Sequence, residues 1–394
     1  MNLRFFHLLL VCLTPCLTIF PLSSNARPLT PTSDAEVVQT LPTDSATRRA
    51  ERQQRQALAR SPRDPVLAVA AAESYLDLAR AQGDARAAGL ALGALQAWEG
   101  AAQVPTEVLV MRATVAQYLH DFSGAEAMLK RAVEQQPLHP QAWLTLATVQ
   151  RVRGNYAASD VACEGVLRSG QRLHGRACLA ENQSLRGEQD AARAQFQQLL
   201  QTPRLPAGTQ QWLLTSVAEL EARAGRPDAA RAAWLQATAL GASGYTLDGY
   251  VDFLLDQGEP TAVIGLLAKP GSPSDGALLR LAIAGKQTAD PRATGWRTEM
   301  AARIEASRAR PGEKNSGATH AREQARFALD VLNHPADALA LARENLKLQR
   351  EPVDLGLLAR TAAAQTKPAE RARAEAEFKQ WRDKLGLQDA RFVL

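Results

Sequence analysis

Residues 140–167 read PQAWLTLATVQRVRGNYAASDVACEGVL, and this stretch decides the fold. Pro140 opens a helical pattern in which Trp143, Leu146 and Ala147 share one face, because residues three and four apart lie on the same side of a helix. Gly154-Asn155-Tyr156 interrupts that pattern. Ser159, Cys163, Val166 and Leu167 then line one face of a second helix. The preceding unit matches at an offset of 34 residues. There Leu109 stands for Trp143, Ala113 for Ala147 and His120-Asp121-Phe122 for the turn, while Ala125, Leu129 and Ala132 line the second helix. Pro137 closes that unit.

Weaker copies surround the turns Gly83-Asp84, Gly187-Glu188, Gly225-Arg226 and Gly258-Glu259. Phe196 and Trp234 each follow their turn glycine by nine residues, and Ala180 and Ala218 precede it by seven. Counting His120 as a turn, the spacings from Gly83 to Gly258 are 37, 34, 33, 38 and 33 residues, a regularity that one fortuitous helical bundle does not produce. A turn glycine takes the positive φ that ends a helix. Small residues let paired helices approach, a bulky one fills the space between hairpins, and no hairpin buries its apolar face alone. The pattern resembles the tetratricopeptide repeat (TPR) family, in its exported bacterial form. The resemblance implies an all-α protein, an α-solenoid forming a right-handed superhelix of about seven or eight helical hairpins.

Composition agrees. About 75 of the 394 residues are alanine, the best helix former, whereas aromatic residues make up 5%, which excludes an all-β protein. Four cysteines are too few for a disulfide scaffold. The net charge of +5 is scattered rather than gathered into a stripe, which argues against a nucleic-acid partner. The densest basic run, over 48–55, is interrupted by Glu51 and reads as the solvated face of a leading helix.

The chain divides into five stretches. Residues 1–26 read as a cleaved export signal: Arg4, an uncharged apolar stretch from Phe5 to about Leu22, and small residues at Ser24 and Ala26 before the cut. The expected location is therefore periplasmic or secreted, with no membrane span after cleavage. Residues 27–47, rich in Pro, Ser and Thr, read as a disordered tether. Residues 48–267 hold the regular repeats. Residues 268–318 hold an irregular hairpin and a flexible joint near 310–318, and 319–394 hold C-terminal hairpins and a cap. The tail ends in Arg391-Phe392-Val393-Leu394. It reads as a cover for the last hairpin's apolar face, or alternatively as a short apolar ligand for a partner.

No phosphate-cradling loop, paired-histidine zinc helix or nucleophile elbow occurs, and no nucleophile is paired with a base in 268–318. No two of the histidines after residue 26 stand three or four residues apart, so no metal site is expected, nor any cofactor or small-molecule substrate. In a TPR array Cys163 and Cys178 fall on adjacent helices of neighbouring hairpins. Two readings stay open for them: a disulfide across the junction, or buried thiols acting as apolar fillers.

The family usually binds through the concave face formed by the first helix of each hairpin. Carried over residue by residue, that face holds Thr114, Gln117, Tyr118, Thr148, Arg151 and Glu181, then Trp212, Glu219, Arg223, Tyr245, Asp248 and Asp252. Its first half is neutral to basic and its second half acidic with aromatics. The resemblance implies a non-enzymatic scaffold that binds a protein or peptide in envelope assembly or export. The alternative is a chaperone-like holdase for unfolded exported chains.

Overall fold

The computed structural model describes Ser33 and residues 45–82, 85–241, 244–269, 271–308 and 320–392. The export signal, the turn at Gly83-Asp84, the joint at 310–318 and the end of the tail at Val393-Leu394 lie outside the described residues, as does nearly all of the tether. Residues 1–52 and 53–394 are two compact units. The first is described at Ser33 and over the start of α1 (Ser45–Arg60), where Arg49 and Arg52 are exposed.

In the second unit the helices pair in chain order. The pairs are α2 (Pro65–Gln82) with α3 (Ala85–Ala94), α4 (Thr106–Tyr118) with α5 (Phe122–Gln135), and α6 (Pro140–Val152) with α7 (Tyr156–Arg168). Next come α8 (Arg172–Leu185) with α9 (Gln189–Leu200), α10 (Ala207–Arg223) with α11 (Pro227–Ala239), and α12 (Gly244–Asp256) with α13 (Pro260–Leu267). Then α14 (Asp275–Thr288) pairs with α15 (Ala293–Arg308). Helix α16 (Ala321–Arg326), continued by a π-helical turn over Phe327–Val331, pairs with α17 (Pro335–Leu348), and α18 (Pro352–Ala363) with α19 (Pro368–Leu385). The first helix of each hairpin also packs on the first helix of the next. Helices α2, α4, α6, α8, α10, α12 and α14 thus form a continuous inner layer, which α16 and α18 extend. The chain is an α-solenoid of TPR-like hairpins.

Nine hairpins are present among the described residues, more than the seven or eight expected. The hairpin within 268–318 is α14 with α15, which turns at Ala289, in the left-handed region at φ 53°. Alanine there gives no glycine signal to read.

The turns show why the repeat is legible. The residue two beyond the inner helix takes positive φ: Gly154 at 76°, Gly187 at 94°, Gly225 at 70° and Gly258 at 72°, with His120 at 63° in the equivalent place. The next amide then reaches back to an unpaired helix carbonyl, closing a Schellman turn. Asp121 donates to Ala116 O, Asn155 to Gln150 O, Glu188 to Gln183 O, Arg226 to Glu221 O and Glu259 to Leu254 O, all within 2.8–3.1 Å. The small inner positions Ala113, Ala147, Ala180 and Ala218 are fully buried. Nine residues after each turn, Leu129, Phe196 and Trp234 fill the space between hairpins.

One repeat departs from that register. Cys163 occupies the bulky position, and it is bonded to Cys178 across the α7–α8 junction. The disulfide fills the place that an aromatic or leucine takes elsewhere. Trp143 supplies the remaining bulk from α6 by lying against Gly165, where an added Cβ would run into the indole ring. Gly165→Ala is therefore expected to cost about 1–3 kcal/mol, since the ring is held in place by its Nε1–H bond to Pro137 O. Urea denaturation checks this: a lowered midpoint is expected, and an unchanged one would show that the α6–α7 packing is looser than described.

Candidate functional site

The inner layer curves around a cavity of about 2140 Å³. All twelve residues placed on the concave face by the sequence pattern line it. They reach it from α4, α6, α8, α10 and α12, because the inward face of each first helix repeats at the same position relative to its turn.

Their chemistry is more constrained than a list of exposed side chains suggests. The Thr114 and Thr148 hydroxyls donate to the carbonyls of Val110 and Leu144 on their own helices. Tyr118 donates to Ala79 O on α2 at 3.2 Å. Trp212 stacks on His174, their ring centroids 5.7 Å apart, and packs partly into the core. Gln117 is half-buried on the cavity wall. Arg151 is ion-paired with Glu181, whose other oxygen accepts from Ser216 at 2.6 Å. Arg223 donates to Ser184 at 2.9 Å and lies 3.8 Å from Glu219. Tyr245 donates to Glu219 at 2.8 Å, and is 69% solvent-exposed inside the cavity.

Burial pushes the Glu219 carboxyl up, with Arg223 only partly offsetting it. The charge of Glu219, with burial, pushes the Tyr245 hydroxyl well above its usual value. Asp248, also raised by burial, lies 3.5 Å from Arg280. Asp252 is clamped from two helices: Arg280 on α14 donates twice, at 2.9 and 2.6 Å, and Arg326 on α16 donates at 2.8 Å. Burial alone would raise the Asp252 carboxyl, but Arg326 and Arg280 outweigh it and hold it well below the usual carboxylate range.

The acidic second half expected from sequence is thus neutralised. Arg280 and Arg326, with Arg322 and Arg391, enter the cavity wall from elements in which the repeat pattern has faded. These residues were missed because nothing local marks them. Arg326 meets a partner 74 positions away.

The far end of the chain also returns to the first repeats. The corner between α17 and α18 docks on the α6–α7 turn: the Arg350 amide donates to Val152 O at 2.7 Å, its guanidinium to Arg153 O at 2.8 Å, and Tyr156 donates to Arg350 O at 3.2 Å. Gln349 Nε2 lies 3.1 Å from His120 Nδ1. The tail packs Phe392 edge-on against Phe378 of α19, centroids 5.4 Å apart. It also crosses to α8 and α10, which was not expected. Asp389, Arg391 and Phe392 contribute to the cavity wall.

Comparison with known proteins adds little. No family model matches the chain, and no curated protein matches it. Among solved structures, the crystal structure of the P58(IPK) TPR domain covers 79% of this chain and 98% of its own, at 14% identity and a TM-score of 0.23. At that TM-score the likeness carries no argument about what this chain binds. No helix among the described residues is long and apolar enough to cross a membrane. No group of three or more His, Cys, Asp or Glu suited to a metal ion occurs among them.

Proposed function

We propose that the chain is a non-enzymatic scaffold of the bacterial envelope, exported through its leader, that takes a protein segment of defined sequence into the cavity. The observation that carries this reading is the cavity wall itself. Five successive inner helices present polar side chains held in fixed geometry by pairs such as Arg151–Glu181 and Tyr245–Glu219. Such pre-ordered donors and acceptors favour one partner, since little freedom is lost on binding. A holdase for many unfolded clients needs an adaptable surface instead. The oxidised Cys163–Cys178 pair fits an oxidising compartment such as the periplasm.

In-cell photo-crosslinking from Tyr245 and Gln117, with Glu51 on α1 as control, tests the reading. One dominant protein adduct at both cavity positions and none at the control is expected. A broad spread of exported proteins would favour the holdase. An absence of adducts at both positions would overturn a protein partner in the cavity.

A further inference from the structure

Helix α19 ends at Gly386, in the left-handed region at φ 65°, and the chain continues as an arm over 387–392. The arm lies across the C-terminal ends of inner helices from other repeats. The Gln388 amide donates to Leu185 O at the end of α8 at 2.9 Å, and the Ala390 amide donates to Arg223 O at the end of α10 at 2.8 Å. Arg391 then reaches Asp256 at the end of α12, at 3.4 Å. The same level begins one repeat earlier, where the Arg350 amide takes Val152 O at the end of α6.

This regularity has a simple origin. The last carbonyls of a helix have no partner within it, so each repeat offers one acceptor at the same height. The Gln388 and Ala390 amides, two positions apart, take successive acceptors, and the arm then turns, its Phe392 amide donating to Asp389 O at 3.1 Å. Specificity comes from three side chains. Leu387 is buried at 2% exposure among Tyr156, Leu185 and the last hairpin. Arg391 spans its own Asp389 and Asp256. Phe392 rests on Phe378.

We propose that this row of helix C-terminal carbonyls, ending at Asp256, is a recognition rail for a partner's protein segment, and that the arm is its internal placeholder. The segment it fits carries an apolar anchor, two amide donors two positions apart, then an arginine and an aromatic residue. The inference rests on the scaffold reading above and adds the place and chemistry of the partner. Nothing in the rail depends on the arm's covalent attachment, because its acceptors belong to the repeats. The arm joins α19 through Gly386, where the amides of Gly386 and Leu387 still donate to the last turn of the helix, at Asp383 O and Arg382 O, so the donors to the rail begin only beyond the junction. Lifting it removes Asp389, Arg391 and Phe392 from the cavity wall.

The test uses the full chain. The double variant Gln388→Pro, Ala390→Pro deletes both amide donors while leaving the repeats intact. Amide hydrogen exchange at Arg391 and Phe392, which donate to Asp389 in the turn of the docked arm, is expected to quicken by about tenfold or more. A fluorescein-labelled peptide of residues 386–394 is expected to bind this variant saturably and one to one, and wild type at least about tenfold more weakly because its own arm holds the site. Replacing the peptide's arginine or phenylalanine by alanine, or adding Asp256→Asn to the protein, is expected to weaken binding by about tenfold each. Unchanged exchange would mean that the rail does not hold the arm, and the proposal fails. A released arm without peptide binding overturns it equally. Crosslinks from Tyr245 without rail binding would sink the rail alone, whereas rail binding without cavity crosslinks would sink the scaffold reading alone.

Discussion

Asp252→Ala is expected to lower stability by about 3 kcal/mol, the low end of the range for breaking a buried pair, because Asp252 keeps 30% of its side-chain surface exposed. The carboxylate is the contact that two arginines from different hairpins share, and their side chains are only 11% and 14% exposed. After its loss Arg280 still has Asp248 at 3.5 Å, but Arg326 keeps no carboxylate in contact. The cost comes mainly from a buried guanidinium left without a carboxylate in contact, on which Asp330 and Glu323 act only from farther away. Adding Arg326→Ala should therefore recover part of the loss, giving a clear coupling in a double-mutant cycle. A single variant within about 0.5 kcal/mol of wild type would show that the triad is solvated and weak.

The same variant reshapes the pH profile. Asp252 is held below the ordinary carboxylate range, so its stabilisation is present above that range and lost as pH falls through the depressed value. Glu219, Asp248 and Asp256 are raised by burial. The folded state binds their protons more tightly than the unfolded chain does, so stability rises as pH falls through their raised values. Thermal midpoints measured against falling pH should first rise, as the three raised groups take up protons, and then drop as Asp252 is protonated. Asp252→Ala should flatten the drop, and Glu219→Gln should flatten the rise.

The sequence makes visible whatever is set within one repeat. Gly154, Gly187, Gly225 and Gly258 are readable because each must adopt positive φ at a fixed distance from a buried alanine and a buried bulky residue. The inward face follows from the same register, which is why Thr114, Thr148 and Glu181 can be placed on the cavity wall without knowing what they touch. The pairings that decide the cavity's charge are invisible, because they join residues with no common period. Asp252 meets Arg326 across 74 positions, and Tyr156 meets Arg350 across 194. The closing corner and arm depend on the net rotation accumulated over many hairpins, a quantity that no single repeat encodes. Ala289 and Asn333 turn the chain at positive φ without glycine, so the later hairpins give weaker punctuation.

Reducing the Cys163–Cys178 bond is expected to cost about 3 kcal/mol, from the loop entropy restored to the unfolded chain when a closure of 15 residues is opened. The folded state itself should change little. Both cysteines are buried, at 0% and 2% exposure, and free thiols serve as small apolar fillers in the same space. The disulfide stands where Leu129, Phe196 and Trp234 supply bulk in other repeats, so opening it acts directly on the α7–α8 junction. For a cooperative unit of this size the loss corresponds to a fall of about 4 °C in the melting temperature. Dithiothreitol should produce that shift in wild type and no shift in Cys163→Ala, Cys178→Ala. Because a solenoid is held by nearest-neighbour interfaces, weakening one junction should also divide the unfolding. Here the corner at Arg350 bridges α6–α7 back to the last hairpins and opposes that division. Reduction alone should therefore shift a single transition, and adding Arg350→Pro, which deletes the amide donor to Val152 O together with the guanidinium, should split it in two. A wild-type melt that ignores dithiothreitol would refute the bond's contribution, and a split on reduction alone would refute the corner's.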